Sequence, residues 1–217
     1  MGCRQQTNPK EYDSSVEQSF EHVLVSGRDT VEIPGYDTTQ WTELITLDAT
    51  IRIDIRYATD NNFVGEKMYD CGRCFLRPEA AEAMVNAQAI LKKKGLGLLM
   101  FDCYRPRPYQ QRLWDKVPDP RYVTPPQKGS MHNRGLAVDL TLIDSRGKML
   151  DMGTDYDFFG ERAYQTFTNL PSDVLNNRKI LNETMEAVGF QPIRTEWWHF
   201  SLRGISYDLS DMVWPCP

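Results

Sequence analysis

The chain has 217 residues, of which 41% are hydrophobic, and a formal net charge of −5. That length can bury one sizeable core, so one main domain is expected. The acidic balance offers no basic stripe for a phosphate backbone, which argues against a nucleic-acid partner, and no stretch approaches the ~20 apolar residues of a membrane span.

Residues 1–40 are polar, lack sustained periodicity and read as a tether. The opening MGCRQQTNPKEYDSS has no apolar core of a signal peptide. Gly2-Cys3 ahead of a polar, acidic segment has two readings: the start of a mature lipoprotein lipidated at Cys3, or a cloning remnant. Myristoylation fits less well, because Gln6 stands where Ser or Thr is wanted. A periplasmic or cell-envelope location follows from the first reading, with a lipid at Cys3 as the sole membrane contact. The alternative location is cytoplasmic.

Residues 41–217 read as a single domain. IRIDIRY at 51–57 alternates Ile51, Ile53, Ile55 and Tyr57 against Arg52, Asp54 and Arg56, the pattern of a half-buried strand. A helix is expected from Pro78, with Glu79 and Glu82 near its positive end, Lys92 to Lys94 near the other, and Gly95 as its stop. Its expected apolar face is Ala83, Met84, Ala87, Ile90 and Leu91. LGLLMFD at 96–102 reads as a buried strand, followed by a turn at Arg105-Pro106 into a shorter helix. AVDLTLI at 137–143 alternates as a strand, with a turn over 144–148. Ser172 is the expected cap of a third helix carrying Val174, Leu181, Met185 and Val188, ended by Gly189. WWHFSL at 197–202 is the last strand. Helices and strands follow one another irregularly, which points to α+β rather than a doubly wound sheet.

Five cysteines are present. With Cys3 set aside, Cys71, Cys74, Cys103 and Cys216 allow three pairings and suit an oxidising compartment, whereas buried thiols in a reduced one are the plainer alternative. Cys71-x-x-Cys74 lacks the strand-to-helix setting of a thioredoxin motif. A structural disulfide from Cys103 to one of these two is expected, since Cys103 ends a core strand.

Histidine is scarce, with three in the chain. Two of them, His132 and His199, stand close to predicted strands, and Asp139 is a carboxylate inside one. If the strands 137–143 and 197–202 are neighbours, Asp139 and His199 stand side by side and His132 can swing over both. Two imidazoles and a carboxylate leave the fourth position of a tetrahedral zinc open, as a catalytic site needs. Taken singly, each is more often a packed or hydrogen-bonded residue. Taken together, SMHNRGLAVD carries the pattern SxHxxGxAxD and EWWH the pattern ExWH.

These two motifs resemble those of the zinc D,D-peptidases, which include D-Ala-D-Ala carboxypeptidases and the VanX-type D-alanyl-D-alanine dipeptidases. IRYATDNNF, GLLMFDCYRPR, VDLTLID, MGTDYDFFG and GFQPIRTEWWHF resemble the dipeptidases, and the likeness runs from about Leu44 to Arg203. It departs in a histidine-free 159–170, in Phe200 where Tyr is frequent, and in the added cysteines, none of which removes a ligand. The resemblance implies one zinc ion held by His132, Asp139 and His199. It also implies an α+β fold whose mostly antiparallel sheet carries the site and is flanked by helices.

Glu196 is the candidate general base. Residues three apart on a strand face opposite ways, so Glu196 is expected before the strand, in a loop or bulge after Pro192. Arg105, beside Pro106 in DCYRPR, is the candidate donor to the oxyanion, a role that the resemblance supports. The resemblance places Asp157 at the substrate amine, with Ser130 and Tyr57 as neighbours; Asp155 and Asp157 could equally be solvated loop carboxylates. The implied activity is hydrolysis of the free dipeptide D-Ala-D-Ala in peptidoglycan metabolism. The alternatives are a D,D-carboxypeptidase acting on longer stem peptides and a non-catalytic zinc-binding module.

Overall fold

The structure is a computed structural model that describes residues 35–216. Cys3 and most of the expected tether lie outside the described residues. The framework is a five-stranded sheet in the order β2-β4-β5-β7-β6, formed by β2 (Arg52–Ile53), β4 (Leu96–Asp102), β5 (Ala137–Asp144), β6 (Phe190–Ile193) and β7 (Glu196–Leu202). The β2–β4 pairing is parallel and the other three are antiparallel, so the sheet is mostly antiparallel as expected. A smaller antiparallel pair joins β1 (Thr42–Glu43) to β3 (Phe75–Leu76), and the short helix α1 (Leu44–Leu47) follows β1.

Three longer helices complete the fold: α2 (Pro78–Lys92), α3 (Arg107–Lys116) and α4 (Ser172–Ala187). Helix α2 packs on β4 and α4 on β6. Alternation in β5 puts Val138, Leu140 and Leu142 on one face, in register with Phe200, Met100 and Leu98 of the flanking strands, and all six are buried. Asp139, Thr141 and the paired His199 share the other face.

Some expectations need correcting. IRIDIRY is not a strand throughout: only Arg52–Ile53 pair with β4, and a 3-10 turn begins at Arg56. The Asp54 N–H still reaches the Met100 carbonyl at 2.9 Å, after which the chain turns away, and Ile51, Ile55 and Tyr57 are buried in the core rather than aligned on one strand face. Ser172 is the first residue of α4 rather than its cap; the cap position is Pro171, with no side-chain hydrogen bond. In α2, Gln88 takes a core position while Ala83 and Ile90 are only half-buried. The Gln88 carboxamide accepts from Leu98 N–H at 2.9 Å, which satisfies a buried polar group against β4.

Two disulfides tie down the segment before β3: Cys74–Cys103 joins it to the end of β4, and Cys71–Cys216 joins it to the C-terminal segment. Cys103 therefore pairs with Cys74, one of its two expected partners, and Cys71-x-x-Cys74 is no redox pair. They span 29 and 145 residues of sequence, and chain entropy alone makes loops of that size worth ~3–5 kcal/mol each.

Candidate active site

His132 opens a 3-10 turn, His132–Arg134, that ends at Gly135 with φ +73°. A Cβ at Gly135 would meet the Trp41 ring at 2.5 Å, so both the backbone conformation and the space there call for glycine. The turn swings His132 back over the start of β5, where Asp139 and His199 are cross-strand partners. All three side chains are buried.

Their donor atoms converge. Asp139 Oδ1 lies 2.9 Å from His199 Nδ1 and 3.3 Å from His132 Nε2, and the two imidazole nitrogens are 3.1 Å apart. A tetrahedral zinc with ligands at ~2.0–2.1 Å requires donors ~3.3 Å from one another, so the triangle has the size zinc needs. His132 Nδ1 donates to the Cys103 carbonyl at 2.7 Å, which fixes the tautomer and leaves Nε2 as the lone-pair donor. Burial pushes the Asp139 carboxyl upward, but the facing imidazoles outweigh it and hold the group far below the usual carboxylate range. A cation belongs in such a cluster, and the donor set of two imidazoles and a carboxylate suits zinc.

Arg105 is tied to this centre: its backbone N–H donates to the His132 carbonyl at 3.1 Å, and its partner Asp102 lies 3.7 Å from His132 Nδ1. Its guanidinium meets Asp102 at 2.6 Å through Nη2 and 3.1 Å through Nε, and Gln110 at 3.0 Å through Nη1. It stands 4.9 Å from the centre of the Tyr57 ring. A guanidinium has five N–H donors, and these contacts leave two of them without a partner among the described residues. Burial opposes its charge, but the surrounding tyrosines and Asp102 hold it above its ordinary range, so it stays a cation.

Asp102 was not singled out by sequence. Strict alternation would put it on the apolar face with Met100, but the β4–β5 register shifts between Met100 and Asp102 and brings Asp102 opposite Asp139. There it is fully buried, accepting from Tyr69 Oη at 2.8 Å and from Cys103 N–H at 3.0 Å while pairing with Arg105. The available signal was a carboxylate ending an apolar run three residues before Arg105.

Glu196 is the first residue of β7, paired with Ile193, and so lies in the strand rather than before it as expected. The irregularity expected after Pro192 is present: the β6–β7 register breaks between Pro192 and Ile193. Simple alternation from Glu196 to His199 therefore does not hold. Desolvation, with the Asp139 charge, raises the Glu196 carboxyl against the pull of His199, His132 and Arg105. That carboxyl has no hydrogen-bond partner among the described residues. It lines a cavity of about 340 Å³ together with Tyr164 and Trp198, rimmed by the exposed rings of Tyr122, Phe158 and Phe159.

Asp157 is half-buried and accepts from Tyr57 Oη at 3.1 Å. Its φ of +58° puts a non-glycine residue in the left-handed region, a strain that recurs at functional sites. Desolvation and the nearby carboxylates of Asp139 and Glu196 push its pKa well up, although Tyr57 and Arg105 oppose them. Asp155, by contrast, is exposed. Ser130 turns its N–H and hydroxyl to Asn133 Oδ1, at 2.8 and 3.2 Å, and so braces the turn that begins at His132. It is not hydrogen-bonded to Tyr57 or Asp157.

A histidine–aspartate donor triangle on a mostly antiparallel sheet, with a desolvated glutamate and a paired arginine around it, is the equipment of a metal-dependent hydrolase. The model of the M15 peptidase family described as D-ala-D-ala dipeptidase matches residues 37–213. A D-alanyl-D-alanine dipeptidase of Escherichia coli (strain K12) is 39% identical over 174 residues, covering 80% of this chain and 90% of that protein. One from Enterococcus faecium is 32% identical, covering 76% and 92% respectively. A distant likeness, at TM-score 0.42 and 16% identity over 60% of this chain and 74% of the other, is to the vancomycin resistance D,D-pentapeptidase VanY in complex with Zn(II). The chain belongs to the M15 family of D-ala-D-ala dipeptidases.

Proposed function

We propose that this protein hydrolyses the free dipeptide D-Ala-D-Ala to two molecules of D-alanine in cell-wall metabolism, using one zinc ion held by His132, Asp139 and His199. The reaction is carried by one domain, residues 41–217. The observation that carries the proposal is that Asp157, paired with Tyr57, directly follows Tyr156, whose hydroxyl donates to Asp139 at 3.0 Å, so that a carboxyl suited to a substrate amine is tied to the donor triangle. Family membership and the relatives' names support the same substrate.

His132, Asp139 and His199 would hold the zinc ion, which would supply Lewis acidity to the scissile carbonyl and lower the pKa of the attacking water. The protein's own groups do the rest. Glu196, raised by desolvation and without a hydrogen-bond partner among the described residues, takes the proton from the attacking water and passes it to the amine that leaves. Arg105, anchored by Asp102 and Gln110, keeps its spare N–H groups for the oxygen that gains charge as the carbonyl carbon becomes tetrahedral. Asp157 holds the substrate's ammonium, with Tyr57 fixing the carboxylate, and Ser130 braces the turn that carries His132.

The discriminating experiment compares free D-Ala-D-Ala with N-acetyl-D-Ala-D-Ala. Acylation leaves the Asp157 carboxylate desolvated and unpaired, so kcat/KM should fall by several orders of magnitude. Comparable rates on the acetylated dipeptide, or on a stem pentapeptide, would make the protein a D,D-carboxypeptidase. No turnover with stoichiometric zinc would make it a binding module.

The cell envelope is the proposed location, with Cys3 as lipid attachment, since two disulfides suit an oxidising compartment better than the cytoplasm. Mass analysis of the N-terminal peptide from membrane and soluble fractions tests both points: an unmodified Cys3 in the soluble cytoplasmic fraction refutes them.

A further inference from the structure

Tyr156 was assigned no role by the sequence, yet its hydroxyl donates to Asp139 Oδ2 at 3.0 Å. The other oxygen of the same carboxylate, Oδ1, is the one that faces His199 and His132. The two oxygens of Asp139 are thus divided between a phenol and the donor triangle. The Tyr156 ring is set by its neighbours, with its centre 5.0 Å from that of Phe101 and 5.4 Å from that of Trp198, so the hydroxyl has little freedom to leave. The next residue is Asp157, whose left-handed backbone turns its carboxylate to Tyr57. One short segment therefore reaches a metal-ligand carboxylate with one side chain and the proposed amine site with the next.

We propose that Tyr156 is a positioning residue that restricts Asp139 to a single-oxygen ligand and fixes the spacing between the metal centre and Asp157. This rests on the zinc reading above. A carboxylate whose second oxygen is engaged by a hydroxyl presents one lone-pair direction to the ion, whereas a released one can rotate to offer both oxygens and crowd the position that water and substrate need.

The test is Tyr156→Phe, which keeps the ring and removes the donor, beside Thr154→Val. The second variant breaks another tie between the same loop and β7, the 2.8 Å bond from Trp197 Nε1 to Thr154 Oγ1, without touching Asp139. Zinc affinity is read by competition with a chromophoric chelator, and ligand geometry by the visible absorption of the cobalt-substituted protein. Tyr156→Phe should bind zinc about 10- to 100-fold more weakly, as loss of an outer hydrogen bond to a ligand generally does. It should also shift the cobalt bands, while Thr154→Val matches wild type in both. Wild-type affinity and cobalt spectrum in Tyr156→Phe would overturn the proposal, as would equal losses in the two variants. If the wild-type protein itself fails to bind zinc, the underlying zinc reading falls and takes this one with it.

Discussion

Asp139 of β5 and His199 of β7 are direct cross-strand partners, with Oδ1 and Nδ1 2.9 Å apart. The sheet therefore builds two of the three proposed ligands, and the turn ending at Gly135 supplies the third. Removing either imidazole leaves two donors. His132→Ala and His199→Ala should each weaken zinc binding by more than the ~10- to 100-fold typical of an outer hydrogen bond. Stoichiometric zinc in both variants, measured by elemental analysis after dialysis, would refute the ligand set.

Glu196→Gln separates chemistry from metal binding, since the carboxyl touches no ligand by hydrogen bond. Zinc content should match wild type and kcat should fall by about a hundred- to ten-thousand-fold. Turnover within a few-fold of wild type would move the base elsewhere, with Asp157 the first to examine.

The planar fork of Arg105 spans Asp102 and Gln110 at once, and a lysine ammonium cannot reproduce that geometry. Arg105→Lys should retain zinc but lose about a hundred- to a thousand-fold in kcat, the usual cost of an oxyanion donor. Steady-state kinetics on D-Ala-D-Ala decides it, and a rise in KM alone, with kcat unchanged, would assign Arg105 to substrate binding.

Asp157 gives the metal-free protein a distinctive pH dependence. Desolvation, with Asp139 and Glu196 nearby, raises its pKa in the folded state, so the folded form binds the proton more tightly than the unfolded form does. Its contribution to stability is complete below the unfolded pKa of about 4 and is lost as pH rises through the folded value. Urea midpoints of metal-free wild type should therefore fall relative to those of Asp157→Asn as pH rises from about 4 to neutrality. A constant difference between the two would show that the carboxyl is not raised.

The two disulfides leave a direct chemical signature. In denatured, unreduced protein, Cys71, Cys74, Cys103 and Cys216 should resist alkylation, and after reduction all four should react. Peptide mapping should join Cys74 to Cys103 and Cys71 to Cys216; any other pairing would contradict the fold around β3 and β4.

The sequence by itself determined whatever depends on neighbours along the chain. The apolar run of β4, the helix opened by Pro78, the alternation of β5 and the stops at Gly95 and Gly189 were legible because period and punctuation are local properties. The residue types of the donor triangle were legible too, because few side chains bind a transition metal and their spacing matched a known motif. IRIDIRY misled because alternation records which residues seek burial, not whether they are buried by a ladder or by a turn folded onto the core. Only the tertiary structure decided the rest. Asp102 faces the site because one register shift turned it from the apolar face, and Glu196 stands at a break in the β6–β7 pairing. Tyr156 meets Asp139 through a loop bent by a left-handed residue. Each of these depends on pairing between segments distant in sequence, where a slip of one residue reverses the face a side chain occupies, and no local pattern records that slip.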